Sequence, residues 1–468
     1  MSATPGILVG RRVCMFVLND CTRDSRVLRE AASLAAAGAE VTIIARRGEG
    51  LPDQEMRGPV RVVRVATRAS LGQAAGEGDA VARRSGAGFL ARQRPRLERW
   101  RALGIRELPA YLGVRTWRLA FVRTWQLVFY VVSHLSYWLG MTFQVLTWTF
   151  KAGRHVPAAD VYHGHDLTGV GPAWWFARRH RARLVYDSHE LYPESGRAAV
   201  APRFTRRVLT AIDRWFMRRA DAVVTVNRSI ADEMARRYRI EQPVAVMNCP
   251  ERWRSDDPEP PTFDHFRQTA RLPIAPGTPI VIYQGGFRPH RGIEQIVAAL
   301  LEPELRDAVG VFLGYGPQRD WISAQAARPD LAGRLFVVDA VPPDVLLEWT
   351  ASADVTISPI QHSTLNHWLS SPNKVFESLA AGVPIVASDF PEMARIIGDT
   401  GAGVVCDPAD PGAIARATAG ILGADPADRA ALRRRCRAAA LDRYNWETEA
   451  GHLLATYAVL VGTPEAGA

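Results

Sequence analysis

Two successions of apolar strands alternating with helical segments, divided by one proline-rich acidic stretch, constrain this chain more than anything else in it. The first opens with Arg12-Val13-Cys14-Met15-Phe16-Val17-Leu18, a loop over 19–25, a helix closed by Gly38 and a second strand over 39–45. That order predicts a parallel sheet with right-handed crossovers. Further strands are expected at 60–65, 160–166, 183–190, 221–226 and 243–247, with helices near 170–180 and 203–219. Residues 248–263, NCPERWRSDDPEPPTF, read as a linker. The second succession places strands at 279–284, 308–313, 334–338, 354–358 and 384–387, and helices near 293–300, 319–327, 345–351 and 373–381. A helical run over 428–462 ends the chain, with Trp446, Leu453, Leu454, Tyr457 and Leu460 on its core-facing side. At 468 residues the chain exceeds what one core organises. The expected division is residues 1–250 with 444–468 packing back on them, a linker at 251–263, and a second domain over 264–443.

The loops of these units carry the chemistry. Ser370 to Asp389 reads SSPNKVFESLAAGVPIVASD, a loop, a helix, a glycine stop at Gly382 and a buried strand. Ser371 is the expected cap and Pro372 the first helical residue. A helix opening this way aims free N–H groups and a partial positive charge at an anion, and Glu377 follows within about one and a half turns. An ordinary capped β-loop-α-β unit is the bland alternative. Two glycine-rich turns, GGFRPHRG from Gly285 and GYGP from Gly314, let backbone approach a ligand, although neither is a P-loop or a complete GxGxxG. In the first half, strands ending in His163-Gly164-His165-Asp166 and Asp187-Ser188-His189-Glu190 put titratable groups at the carboxyl edge of a parallel sheet, where open α/β folds bind ligands. A metal is the alternative for such a cluster. No recognised ligand spacing and no D-x-D stand behind it, so no metal is expected.

The formal charge of +10 suits an acidic partner, though 56 of the 58 basic residues are arginine, as biased coding would give. Against that background Lys374, one of two lysines, is informative: a compact ammonium is wanted there. The basic residues follow no nucleic-acid reader motif, so no nucleic-acid partner is expected. Cys14, Cys21, Cys249, Cys406 and Cys436 have no framework spacing, which argues for a reducing compartment, and no secretory leader pattern opens the chain. Residues 68–96 are rich in Gly, Ala, Ser and Arg and read as a mobile loop, with a basic end from Arg92 to Arg106. Thr124 to Phe150 lacks any Asp, Glu, Lys or Arg. Ser133, Ser136, Gly140, Gln144 and Thr147 give it a narrow polar stripe, and strands before and after it belong to one sheet. A helix in a membrane interface, with residues 92–150 facing anionic lipid, is therefore expected rather than a crossing; a core helix or dimer contact is the alternative.

Six stretches in this order, DSRVLREAASLAAAGAEVTIIA, YHGHDLTG, LVYDSHELYPE, IYQGGFRPHRGIEQIV, ADVTISPI and SPNKVFESLAAGVPIVASD, resemble the family 4 (group 1) retaining glycosyltransferases. The resemblance covers nearly the whole chain. It implies a GT-B α/β fold: two Rossmann-like domains facing across a cleft, with a C-terminal helix crossing back to the first. It implies no cofactor and no metal, a nucleotide-sugar donor, a glycan or lipid-linked acceptor, and a cytoplasmic protein at the inner face of a membrane. Glu377 matches the second glutamate of the family's E-x7-E motif, expected on the donor ribose. Arg291 matches the basic residue paired with the donor diphosphate, and His189 the histidine facing the transferring sugar. Gly285, Gly286, Arg288, Ser371, Asn373 and Lys374 fall on the donor side; His165, Asp166, Asp187 and Glu190 are acceptor-side candidates. Two positions depart from the pattern. Leu369 stands where the first glutamate belongs, and Gly286 where an arginine is usual, with Arg288 or Lys374 as substitutes for its charge. A GT-B nucleotide-sugar epimerase and a non-catalytic membrane-associated scaffold are the alternative functions.

Overall fold

A computed structural model describes residues 6–22, 24–67, 125, 132–134 and 136–462. They fall into two compact units, one running to Val65 and resuming at Ala152, the other within Ala66–Lys151. The larger unit holds two sheets. The first is built from β1 (Arg12–Val17), β2 (Glu40–Arg46), β3 (Gln54–Arg57), β4 (Val60–Val65), β5 (Val161–His165), β6 (Arg183–Ser188), β7 (Ala222–Thr225) and β8 (Val244–Ala245). The second holds β9 (Ile280–Gly286), β10 (Val309–Tyr315), β11 (Leu335–Asp339), β12 (Val355–Ser358), β13 (Ile385–Ser388) and β14 (Gly403–Cys406). Their orders are β3-β4-β2-β1-β5-β6-β7-β8 and β11-β10-β9-β12-β13-β14. Among the described residues only β3 with β4 is antiparallel. Central strands such as β1, buried at every position after Arg12, are the continuous apolar runs that a sheet covered on both faces requires.

The helices that position the site and the surface beside it are α1 (Ser25–Ala36), α2 (Asp166–His180), α3 (Arg203–Met217), α4 (Arg228–Tyr238), α5 (Asn373–Ala381), α6 (Pro391–Thr400), α7 (Pro426–Asp442) and α8 (Trp446–Val461). The C-terminal run breaks where continuity was expected. α7 ends at Asp442, and the Asn445 side chain accepts a 2.9 Å hydrogen bond from the Thr448 amide to start α8. The break redirects α8 onto the first sheet, where Trp446, Leu453, Leu454 and Tyr457 join the core that contains Val13, Met15 and Val41. Trp446 Nε1 also donates to Ser33 Oγ at 2.9 Å. Two further expectations need correction. α2 starts at Asp166, directly at the strand end, and the residue capping α5 is Pro372, so Ser371 lies before the cap. β3, β14, α4 and α6 were not foreseen.

In the smaller unit the chain is helical from 136 through 150. Leu139, Phe143, Leu146 and Phe150 are 52–81% exposed, whereas Gln144 is buried and donates to Thr67 Oγ1 at 3.3 Å. Large apolar side chains are thus among the exposed ones, and of the expected polar stripe Gln144 is buried while Ser133 and Ser136 are exposed. No helix among the described residues is long and apolar enough to cross a membrane. The loop over 68–96 and the basic run from Arg92 to Arg106 lie outside the described residues.

Candidate active site

Each sheet reverses its strand order once, between β1 and β5 in the first and between β9 and β12 in the second. Loops leaving the carboxyl ends diverge there, and such switch points are where open α/β sheets bind ligands.

In the first half, β5 and β6 run in register with His165 opposite Asp187. Asp166 follows β5 with a left-handed φ of +55° and turns the chain into α2. His189 then lies between two carboxylates. Its Nε2 is 3.0 Å from Asp187 Oδ2, its Nδ1 is 3.5 Å from Asp166 Oδ2, and its amide donates to Asp166 Oδ1 at 3.0 Å. Burial works against the imidazolium, but Asp166 and Asp187 outweigh it and raise the pKa to about 10. His189 is therefore a fixed cation with both ring nitrogens engaged.

Beneath it, Arg26 grips Asp187 with Nε and Nη2, each at 2.8 Å, and Arg26 Nε also lies 3.0 Å from Glu30 one turn along α1. Burial would raise Asp187, yet Arg26 and His189 hold it well below the usual carboxylate range. Burial and the adjacent Asp187 push Glu30 the other way, well above that range. Burial, then His165, lowers His163 far enough to keep it neutral, with Nδ1 2.8 Å from the Tyr457 hydroxyl of α8. Glu30, His163, His165 and Asp187 bring ligand-type atoms within 4.8 Å of one another. Arg26 already supplies a cation to both carboxylates, and the cluster forms a floor under His189. His165 and Asp187, expected on the acceptor side, are buried in that floor, while Asp166 and Glu190 remain partly open. Arg26 and Glu30 were not singled out from sequence. Their signal was there: they occupy positions four apart in phase with buried Leu34, where an amphipathic helix puts apolar residues.

In the second half, β9 ends in the glycine turn. Gly285 and Gly314 face each other in register, and a Cβ on Gly314, whose φ is +156°, would fall 2.0 Å from the Gly285 carbonyl oxygen. The Arg288 side chain folds back beside Gly286, whose added Cβ would lie 3.7 Å from its Nε, so a guanidinium stands next to the position that lacks the usual arginine. The N-terminus of α5 carries no side-chain cap, which leaves its first N–H groups available to an anion. Lys374, in the first turn, is buried with Nζ 3.5 Å from the Tyr283 ring centroid. Burial, then the neighbouring Arg291 charge, brings its pKa well down. Burial likewise lowers Arg291, with Arg288 adding to the effect. Glu377 accepts from Gln284 Nε2 at 2.6 Å, and Thr350 Oγ1 donates to Gln284 Oε1 at 2.6 Å. Burial raises Glu377 against the pull of Gln284 and Lys374. Asn373, the first residue of α5, is exposed.

Polar side chains tie the halves together beside these groups. Asn366 Oδ1 accepts from the Leu191 amide at 3.1 Å, and its Nδ2 donates to Glu190 at 3.3 Å. Asn227 Nδ2 donates to the Leu369 carbonyl at 2.9 Å and to Ser371 Oγ at 3.0 Å. Ser371 is thus engaged by the first half, and Leu369 contributes its backbone oxygen where a glutamate side chain was missing. Glu392 on α6 accepts from the amide and hydroxyl of Ser229 on α4.

This architecture, two mostly parallel sheets with a C-terminal helix returning to the first, is the GT-B fold. It matches sucrose-phosphate synthase from Thermosynechococcus elongatus at a TM-score of 0.67 over 97% of this chain and 100% of that one, with 18% identity. It also matches the Anabaena HepE protein in complex with UDP, at 0.60 over 96% and 100%, with 13% identity. Residues 101–250 match the family model described as glycosyl transferase 4-like domain, and residues 278–424 the model described as glycosyl transferases group 1. The chain thus has the GT-B fold, and each half contains a stretch similar to a glycosyltransferase domain. Glycogen synthase of Mycobacterium tuberculosis is 26% identical over 302 residues, which are 62% of this chain and 66% of that protein, just under two thirds of its length.

Proposed function

We propose that this chain transfers a sugar from a nucleotide-sugar donor to a glycan, lipid-linked or other glycoside acceptor, with retention at the anomeric carbon and without a metal. The observation that carries this reading is electrostatic. Buried Lys374, in the first turn of the uncapped α5, and half-buried Arg291 lie close enough to interact, although desolvation and neighbouring positive charge lower the pKa of both. Cations gathered at such cost form a site for a multiply charged anion, and a donor diphosphate meets that need. The glycine turn at Gly285 and Gly286 permits its approach, and Glu377, aligned by Gln284, is placed to accept from ribose hydroxyls. The matched domain models and the UDP complex of the Anabaena neighbour support the same donor class.

Breaking the bond between the anomeric carbon and the diphosphate oxygen puts negative charge on the leaving group. Arg291, Lys374, Arg288 and the α5 dipole bind that charge more strongly as it develops, which is the condition for catalysis. They take the part that a metal plays in D-x-D enzymes. His189 cannot act as a base while it is a cation bonded to Asp166 and Asp187; with both ring nitrogens engaged, it fixes the positions of those two carboxylates. The acceptor oxygen bonds the anomeric carbon as the diphosphate oxygen departs, and the acceptor's proton passes to that departing oxygen. Glu190, whose carboxyl burial and Asp166 raise, and Asp166 are the groups that orient that hydroxyl. Retention and family 4 membership rest on the resemblance of the motifs, and cell-envelope glycan synthesis at the inner membrane face is the setting these parts suit. Glu377→Ala should abolish transfer while leaving the melting temperature close to that of the parent. Normal turnover of that variant with an identified donor would refute the assignment.

A further inference from the structure

We propose that the outward face of α3 docks this protein on an anionic lipid surface, whether or not the chain transfers a sugar. Phe204, Val208, Ile212 and Trp215 are 77, 41, 41 and 36% exposed, and their spacing aligns them along one side of the helix. Arg203, Arg207 and Arg218 are exposed beside that stripe, and among the described residues none of them has a carboxylate partner. The sole carboxylate of α3, Asp213, turns inward and accepts from the Tyr186 and Tyr238 hydroxyls at 2.6 and 2.7 Å. Soluble surfaces normally intersperse both signs of charge. This one presents apolar groups and cations only, the pattern of a helix lying in a lipid interface.

The face is also held in place. Trp215 packs edge-on against Trp174 of α2 at 4.9 Å, and Arg219 stacks over the Trp215 ring at 3.9 Å. An aromatic fixed at the junction of apolar stripe and arginines suits the headgroup boundary, where one end is apolar and the other wet. A second copy is a poor occupant, because a two-fold pairing would set these arginines against each other. Anionic headgroups supply the missing counter-charge, each arginine near the surface strengthening binding roughly fivefold.

The test is cosedimentation of the full chain with phosphatidylcholine vesicles, with and without a third of phosphatidylglycerol. The parent should bind only the anionic vesicles, and less as salt rises. Phe204→Ser with Ile212→Ser, and separately Arg207→Glu with Arg218→Glu, should each lower binding by at least about tenfold without moving the melting temperature. A parallel Leu139→Ser, Phe143→Ser variant controls for the other exposed apolar helix. The proposal is overturned if the parent ignores anionic vesicles, if the α3 variants bind as the parent does, or if only the Leu139, Phe143 variant loses binding. It is equally overturned if the parent forms dimers in solution that the α3 substitutions dissolve.

Discussion

Arg26 and Asp187 form a bidentate ion pair with both arms at 2.8 Å, joining α1 to the end of β6 in a buried place directly beneath His189. Removing one partner of such a pair leaves an uncompensated buried charge, which costs about 3–5 kcal/mol. Arg26→Met should therefore lower unfolding stability by that order in chemical denaturation. Arg26→Lys, keeping the charge but losing the fork, should fall between. A stability unchanged in Arg26→Met would mean that Asp187 is neutral in the folded protein.

The His189 cation sets a pH dependence. Its folded pKa, about 10, lies above the ordinary 6.5, so the stability it contributes is complete below about 6.5 and is lost as pH rises through about 10. The difference in melting temperature between the parent and His189→Gln should persist at neutral pH and close as pH approaches 10. A difference that already closes near neutrality would show that Asp166 and Asp187 do not hold the proton.

Much of this was legible in the sequence, and the limits have physical causes. Strands and the α5 stretch were readable because continuous apolar runs and a Gly382 stop are local signals. The phase of Arg26 and Glu30 with Leu34 signalled their burial but not their pairing, since their partners Asp187 and His163 lie far along the chain and only β1-β5-β6 pairing brings them together. The break at Asn445 was hidden because Trp446 to Tyr457 continues the apolar period while the helix axis changes. Ser371 read as a cap because Ser before Pro usually is one; Asn227, from the other half, claims its hydroxyl instead.

Gln284 is the residue that orients Glu377. A hydrogen bond to a charged group contributes about 1.5–3 kcal/mol, so Gln284→Leu should weaken donor binding roughly ten- to hundredfold. Thr350→Val, one hydrogen bond further away, should act in the same direction by about 1 kcal/mol. The readout is the apparent KM for the donor, and an unaffected KM would show that Glu377 does not need this alignment.

The interlocked glycine turns predict a structural cost. Gly314→Ala must relieve a 2.0 Å approach to the Gly285 carbonyl oxygen at a φ of +156°. Strain of this kind amounts to about 1–3 kcal/mol and displaces the turn. Lower thermal stability together with weaker donor binding is expected; a variant matching the parent in both would show that the turn does not shape the site.

Arg291, Lys374 and the start of α5 are proposed to bind the diphosphate of a nucleotide-sugar without a metal, and everything else in the transfer chemistry depends on that. Calorimetric titration with UDP-, GDP- and ADP-sugars, in chelator, measures it most directly. One donor should bind saturably, unchanged by chelation, and Arg291→Ala should weaken it at least tenfold, the loss of a charge-assisted hydrogen bond being worth about 1.5–3 kcal/mol. No saturable binding of any of them, or binding that requires added metal, would contradict the proposal.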